Sequence, residues 1–168
     1  MIKSIKFLIL FFVIANFSLG TAYSAGSSGD GGSSSGDGGV GQENFYKSGK
    51  KLVYRAKKLE KKNKLEKAQK LYLKAYSKFE KAYKKNKKNP DILNYLGFTL
   101  RKTGNFEKAE TYYLRGLELD AGHIGINEYL GELYVQTNRI ELAKNRLLVL
   151  KGCNCEEYEE LKELIDNN

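Results

Sequence analysis

The sequence predicts an all-α fold, an α-solenoid of about three helix pairs closed by a C-terminal capping helix. Three observations lead to this prediction. From residue 44 onward, apolar residues recur every three or four positions, which is the period of an α-helix. Part of this segment matches itself at a spacing of about 34 residues, as in repeat proteins. The C-terminal segment from Glu156 to Asn168 forms one further amphipathic stretch, which suits the end of a solenoid.

Residues 1–24 are predicted to be a secretory signal peptide. Lys3 and Lys6 precede an apolar run over residues 7–17, which is too short to cross a bilayer because a spanning helix needs about 20 residues. Small residues at Ala22 and Ser24 then provide sites for cleavage. We therefore expect an exported protein, periplasmic or secreted. An uncleaved membrane anchor is the alternative.

Residues 25–43 are predicted to be a disordered linker rich in Gly and Ser. Half of residues 26–41 are Gly and five more are Ser, so this stretch has little to bury and much backbone entropy to lose. Asp30 and Asp37 stand seven positions apart, and two carboxylates are too few for a calcium site. The folded domain is expected to occupy residues 44–168.

The internal repeat is clearest in the second half of the chain. Its two copies are Leu93-x-x-Leu96-Gly97-x-x-Leu100 with Ala109-x-x-x-Tyr113, and Asn127-x-x-Leu130-Gly131-x-x-Tyr134 with Ala143-x-x-x-Leu147. Each Gly would let one helix of a pair lie close to its partner, which carries the Ala. This pattern resembles the tetratricopeptide repeat. Leu93 and Asn127 replace its Trp, and Ala121 and Cys155 replace its terminal Pro.

The first repeat is predicted to be longer than the others. Ala68 and Tyr72 correspond to Ala109 and Tyr113, an offset seven positions longer than the repeat period. Seven positions are nearly two helical turns, so such an insertion keeps the apolar face aligned. The second helix of this pair is therefore expected from about Lys64 to Lys85, and it should end before Asn89-Pro90. With a capping helix whose apolar stripe comprises Tyr158, Leu161, Leu164 and Ile165, seven helices are expected.

The resemblance implies a non-catalytic protein-interaction module whose first helices line a concave groove for a peptide or partner helix. The matching positions are Lys50, Val53, Lys57 and Lys61 in the first repeat, Asp91, Asn94, Phe98, Arg101 and Lys102 in the second, and Glu128, Glu132, Val135 and Gln136 in the third. This groove would be basic at one end and acidic at the other. The set that clamps a terminal carboxylate in some relatives is incomplete here, and no such clamp is predicted.

Charge is divided along the domain. Residues 47–88 carry 17 Lys and one Arg but three Glu, a net charge of +15, whereas residues 89–168 carry a net charge of −5. A block of this kind attracts anions in a salt-dependent way. The candidate anion-binding residues are Lys70, Lys74, Lys78 and Lys81, and the partner would be an anionic membrane surface or a wall polymer. Nucleic acid is not expected outside the cell. A solvated face without a ligand is the other interpretation, because 24 of the 29 basic residues are Lys rather than Arg.

Cys153 and Cys155 are the one place where chemistry is conceivable. A disulfide, a site for a soft cation such as Cu(I), and an inert turn all fit the spacing, although the disulfide requires a turn that is not helical. No catalytic set, phosphate loop or cofactor motif is present in the sequence, so neither an enzyme nor a cofactor is predicted. The leading hypothesis is an exported interaction scaffold. The alternatives are a thiol redox or copper-handling protein and a self-assembling structural protein.

Overall fold

The computed structural model describes residues 38–168, and every element in that part of the chain is an α-helix. The predicted signal peptide and most of the predicted linker lie outside the described residues. The helices are α1 (Gly38–Glu60), α2 (Leu65–Lys85), α3 (Pro90–Lys102), α4 (Phe106–Leu119), α5 (Ile124–Gln136), α6 (Ile140–Leu150) and α7 (Glu156–Asp166). The first helix thus begins at Gly38, before the domain boundary expected at residue 44.

The helices pack as a solenoid of three pairs with a cap, as predicted. The pairs are α1 with α2, α3 with α4, and α5 with α6. Consecutive pairs contact through α2 with α3 and α4 with α5, and α7 lies on α5 and α6. Among the described residues, no helix is long and apolar enough to cross a membrane.

The turn inside each pair uses a left-handed residue at the same place. Asn63, Gly104 and Asn138 have φ angles of 54°, 85° and 58°. Asn and Gly adopt this conformation most readily, which explains why they stand at these positions. Side chains cap the N-termini of α3 and α4. Asn89 accepts a hydrogen bond from the amide of Ile92 (3.1 Å), and Asn105 accepts one from the amide of Lys108 (3.3 Å).

The first pair is extended in both of its helices. The extension predicted for the second helix is confirmed, since α2 ends at Lys85. The structure adds that α1 is extended too, with 23 residues against 13 in α3. Gly49 makes this possible, because a Cβ at that position would lie 2.6 Å from the Phe79 ring. The two added turns therefore pack against each other.

The repeat glycines do not all face the partner helix. A Cβ at Gly97 would lie 2.5 Å from the ring of Tyr113 in α4, its own pair, as expected. At Gly131 the nearest side chain is instead Leu161 of α7, also at 2.5 Å. The prediction that Gly131 accepts its own partner helix is corrected in this respect. Leu161 is fully buried, so the glycine seats the cap.

Candidate functional site

Side chains of the first helix of each pair meet on one face, which we call the first-helix face. Its centre holds Lys57 from α1, Phe98 from α3 and Tyr129 from α5. The Lys57 Nζ lies 5.1 Å from the centroid of the Phe98 ring and 3.5 Å from the Tyr129 hydroxyl. The centroids of the two rings are 4.8 Å apart. Three successive repeats thus contribute to one cluster of a cation and two aromatic rings.

Arg101 holds this cluster from beneath. Its side chain is only 2% exposed, and its guanidinium makes a 2.7 Å ion pair with Glu132. It also lies 5.6 Å from the centroids of both the Phe98 and Tyr129 rings. Burial raises the pKa of Tyr129 above its usual range, so that hydroxyl stays neutral. The aromatic floor of the face is therefore fixed by a buried charge pair.

A second cation stands over aromatic rings toward the first repeat. The Lys50 Nζ lies 5.5 Å from the Tyr46 ring centroid and 5.9 Å from that of Tyr95. Tyr95 is held in place by stacking on Phe79, with 4.9 Å between the ring centroids. Within the described residues, no carboxylate lies within 4.0 Å of the ammonium group of Lys50 or Lys57. Both ammonium groups are therefore available to an anionic ligand.

The opposite end of the face is acidic. Glu128 is 3% exposed on α5. Its burial, together with the nearby carboxylates of Glu132, Glu160 and Glu157, raises its pKa to about 9. At neutral pH Glu128 thus keeps its proton, while Glu132 pairs with Arg101. The predicted change of charge along the face is present, but the acidic end is less charged than its residue types indicate.

The other predicted groove residues differ in burial and in their partners. Val53, Phe98 and Val135 are core residues, each 7% exposed or less, and so their side chains offer little contact surface. Asn94 is buried as well, and its Oδ1 has no hydrogen-bond partner in the described part of the chain. Lys102 is bound to Glu60 (2.8 Å) and Asp91 to His123 (3.3 Å). Lys61 and Gln136 lie exposed at helix ends.

Sequence reasoning missed three tyrosines of this face, namely Tyr46, Tyr95 and Tyr129. Tyr95 and Tyr129 are separated by one repeat period, and they directly follow the predicted Asn94 and Glu128. The period therefore contained a signal for these two residues. Tyr46 lies in the extension of α1, where the repeat register gives no guide.

Cys153 and Cys155 are joined by a disulfide in the turn between α6 and α7. Their Cα atoms are 5.2 Å apart, and Gly152 and Asn154 both have positive φ angles. The turn is thus non-helical, as a disulfide at this spacing requires. Copper binding through two thiolates would require the disulfide to be reduced first. In the described part of the chain, no group of three His, Cys, Asp or Glu could hold a metal ion.

The predicted anion-binding lysines lie along the outer side of α2. Lys70, Lys74 and Lys81 are exposed, while Lys78 is half-buried. The ammonium groups of Lys78 and Lys81 lie 5.8 and 5.7 Å from the Phe45 ring centroid. The four lysines therefore lie on one side of α2, where two of them also contact α1.

Known proteins match this chain in sequence and in fold. The sequence model of the tetratricopeptide repeat matches residues 90–123, which contain α3 and α4. A stretch of 77 residues is 32% identical to protein O-mannosyl-transferase TMTC3 of Homo sapiens, covering 46% of this chain and 8% of that protein. The chain therefore corresponds to a small part of that relative.

Solved structures resemble the helical domain. One is the Yersinia enterocolitica type III secretion translocator chaperone SycD, with a TM-score of 0.51 and 15% identity, over 70% of this chain and 81% of that one. Another is SycD in complex with a peptide of the translocator YopD, with a TM-score of 0.50 and 18% identity, over 70% and 86% of the two chains. At these identities the likeness is one of fold.

Proposed function

The chain is a tetratricopeptide-repeat protein, and on that premise we propose that it is a non-catalytic interaction module. Its ligand is an extended segment of a partner protein bound along the first-helix face. The observation that carries this proposal is the row of half-buried tyrosines, Tyr46, Tyr95 and Tyr129, with the uncompensated cations Lys50 and Lys57 above them.

The chemistry of the face describes the segment it would take. Lys50 and Lys57 favour a carboxylate near the first and second repeats, while the tyrosine rings offer apolar surface to aromatic or aliphatic side chains. The SycD structure that holds a YopD peptide is consistent with a peptide on this fold. We further propose that binding takes place after export, because residues 1–24 have the pattern of a signal peptide.

Site-specific photo-crosslinking in the native host tests the proposal. A photoreactive phenylalanine at position 50 or 57 should yield the same partner adduct, because both positions border the tyrosine row. The matched control is position 111, where Thr111 is exposed on α4 and lies off the first-helix face. Equal adducts at position 111 would speak against a groove ligand.

Affinity for the captured partner then tests the cations. The double variant Lys50→Glu, Lys57→Glu should bind at least tenfold more weakly, since it places two anions over the tyrosine row. Thr111→Glu should leave affinity unchanged. Unaltered binding by the folded double variant would mean that this face is not the site.

A further inference from the structure

One long side of the first helix pair is basic throughout, and we call it the leading edge. On α1 and the turn after it the edge comprises Lys51, Arg55, Lys58 and Lys62, and on α2 it comprises Lys67, Lys74 and Lys78. Spacings of three, four and seven positions place each set on one side of its helix. The opposite sides of the two helices carry the core and the contacts with α3. No described helix packs against the leading edge.

The leading edge is more than a field of charge. A shallow cavity of about 200 Å³ opens on it, lined by Arg55, Lys58, Leu59, Lys62 and Leu71. Two leucines thus lie among three cations. Tyr54 stands beside them, 61% exposed, with the Lys58 Nζ 4.4 Å from its ring centroid. A surface of this kind attracts a partner that brings carboxylates, while the leucines and Tyr54 add contact area.

The other end of the solenoid presents a surface of the opposite sign, which we call the trailing face. Glu156, Glu159, Glu163 and Asp166 recur at spacings of three and four on the side of α7 opposite the buried Leu161 and Ile165. All four are exposed. Among them, only Asp166 forms an ion pair within the described residues, with Lys162 at 3.3 Å. The remaining carboxylates are therefore uncompensated.

The two surfaces match in length as well as in sign. At about 1.5 Å per residue, the span from Lys51 to the end of α1 at Glu60 is about 14 Å, and the span from Glu156 to Asp166 is about 15 Å. Both present one or two charges at every helical turn. We propose that copies of this chain associate head to tail, with the trailing face of one copy on the leading edge of the next. Such a contact is heterologous, so it builds open chains or closed rings rather than a two-fold dimer.

Sedimentation velocity of the purified protein across protein concentration and salt tests this proposal. At low salt the sedimentation coefficient should rise with concentration. At about 300 mM salt the association should weaken at least tenfold, because exposed charges are screened at that ionic strength. A monomer at every concentration in low salt would overturn the proposal. If that monomer instead binds phosphatidylglycerol vesicles through the leading edge, the occupant is an anionic lipid surface and the proposal is equally wrong.

Charge reversal identifies the surfaces involved. One variant carries Arg55→Glu, Lys58→Glu and Lys62→Glu, and a second carries Glu156→Lys, Glu159→Lys and Glu163→Lys. Each alone should remain monomeric, because the α1 part of the leading edge and the trailing face then have the same sign. The variant with all six changes should associate again, since the signs of the α1 part of the leading edge and of the trailing face are both exchanged.

A matched control separates contact from net charge. Lys84→Glu, Lys87→Glu and Lys88→Glu alter net charge as much as the leading-edge variant does, but these residues lie at and beyond the end of α2. This control should associate like the unaltered protein. If it dissociates equally, or if the folded six-residue variant stays monomeric, the head-to-tail contact does not exist. Circular dichroism verifies the helix content of each variant.

Discussion

Glu128 holds a carboxyl group where the surrounding residues oppose its ionisation. It is almost fully buried on α5, close to the carboxylates of Glu132, Glu157 and Glu160. Its pKa of about 9 in the folded state compares with 4.5 for an unperturbed group. Between these two pH values the folded chain retains a proton that the unfolded chain releases. The free energy of unfolding should therefore fall as pH rises from about 4.5 to about 9.

Replacing this carboxyl by an amide should remove that pH dependence. We expect Glu128→Gln to leave stability nearly unchanged at about pH 4.5 and to raise it at about pH 8, by about 1–3 kcal/mol. Urea unfolding at several pH values measures the difference. Glu163→Gln, which also removes one carboxyl group but on the exposed side of α7, is the matched control. A benefit from Glu128→Gln that does not vary with pH would contradict this account.

Gly131 decides how closely the cap approaches the last pair. A leucine there would compete with Leu161 for the same space, so Gly131→Leu should destabilise the fold by about 3 kcal/mol. Thermal unfolding measures the loss. Leu161→Ala should recover part of it in the double variant, because the clash is with that side chain.

Gly122 provides the control for this substitution. A Cβ at Gly122 would meet only the Asp120 Oδ1, at 3.7 Å, so Gly122→Ala should have little effect. Strictly additive losses from Gly131→Leu and Leu161→Ala would show that the glycine does not seat the cap. The role of Gly131 could not be predicted from the sequence, because the repeat pattern gives a position but not which neighbouring helix fills it.

At the scale of the helix, α2 illustrates the cost of concentrating like charge. Lys70, Lys74 and Lys78 follow one another at i,i+4 spacing, and Lys81 adds an i,i+3 neighbour. Like charges at these spacings destabilise a helix by a few tenths of a kcal/mol for each pair. The high lysine content of the first repeat therefore lowers the stability of α2.

Changing Lys70, Lys74, Lys78 and Lys81 to Gln should stabilise the domain at low salt, by about 1 kcal/mol in total. The gain should vanish at about 0.5 M salt, where screening already removes the repulsion. Chemical unfolding at two salt concentrations measures it. The pair Lys87→Gln, Lys88→Gln, in the loop after α2, should gain less. A gain that persists at high salt would indicate a cause other than repulsion.

The same helix shows how far the sequence determines an element. The bounds of α2 follow from the echo of Ala68 and Tyr72 in Ala75 and Phe79, and they agree with the structure to one residue. The sequence does not predict the matching extension of α1, because the start of that helix is rich in Gly and has the composition of a linker. Helix packing settles this point, since the added turns of α2 require a partner and Gly49 supplies the close approach to Phe79.

For the candidate site, the sequence predicts which side of the repeats forms the face. It does not predict which residues of that face are exposed. Lys50 and Lys57 do lie over this face, at the repeat positions from which they are predicted. Burial of Phe98 and Arg101 depends on how α3 sits between its neighbours, which no single repeat specifies. The raised pKa of Glu128 likewise depends on carboxylates of two different helices, α5 and α7. The repeat pattern thus does not predict the contacts between repeats, which decide these properties.

At the scale of the whole molecule, the first helix pair is positively charged and the cap is negatively charged, so the two ends of the domain have opposite signs. The sequence shows this division as net charges of +15 and −5 for residues 47–88 and 89–168. The structure adds that the charges lie on the outermost helices at each end of the described domain. It is this placement, which composition alone cannot give, that makes contact between copies possible.

The start of the mature protein is a prediction at the same scale. If residues 1–24 direct export, protein recovered from outside the cytoplasm should begin near Tyr23 or Ala25. N-terminal sequencing of the exported fraction checks this. A chain that retains Met1 in that fraction would contradict a cleaved signal peptide.

The order of helix contacts also sets how the domain folds. Apart from side-chain contacts such as that of Lys57 with Tyr129, the packing joins helices that are one or two places apart in the chain, so most of it forms without closing a long loop. Folding within milliseconds is expected, with the long hairpin of α1 and α2 able to form before the rest. Opening should start at the opposite end, where the short helix α7 is held by one neighbouring pair. Amide hydrogen exchange that is fastest in α7 and slowest in α2 would show this order of opening.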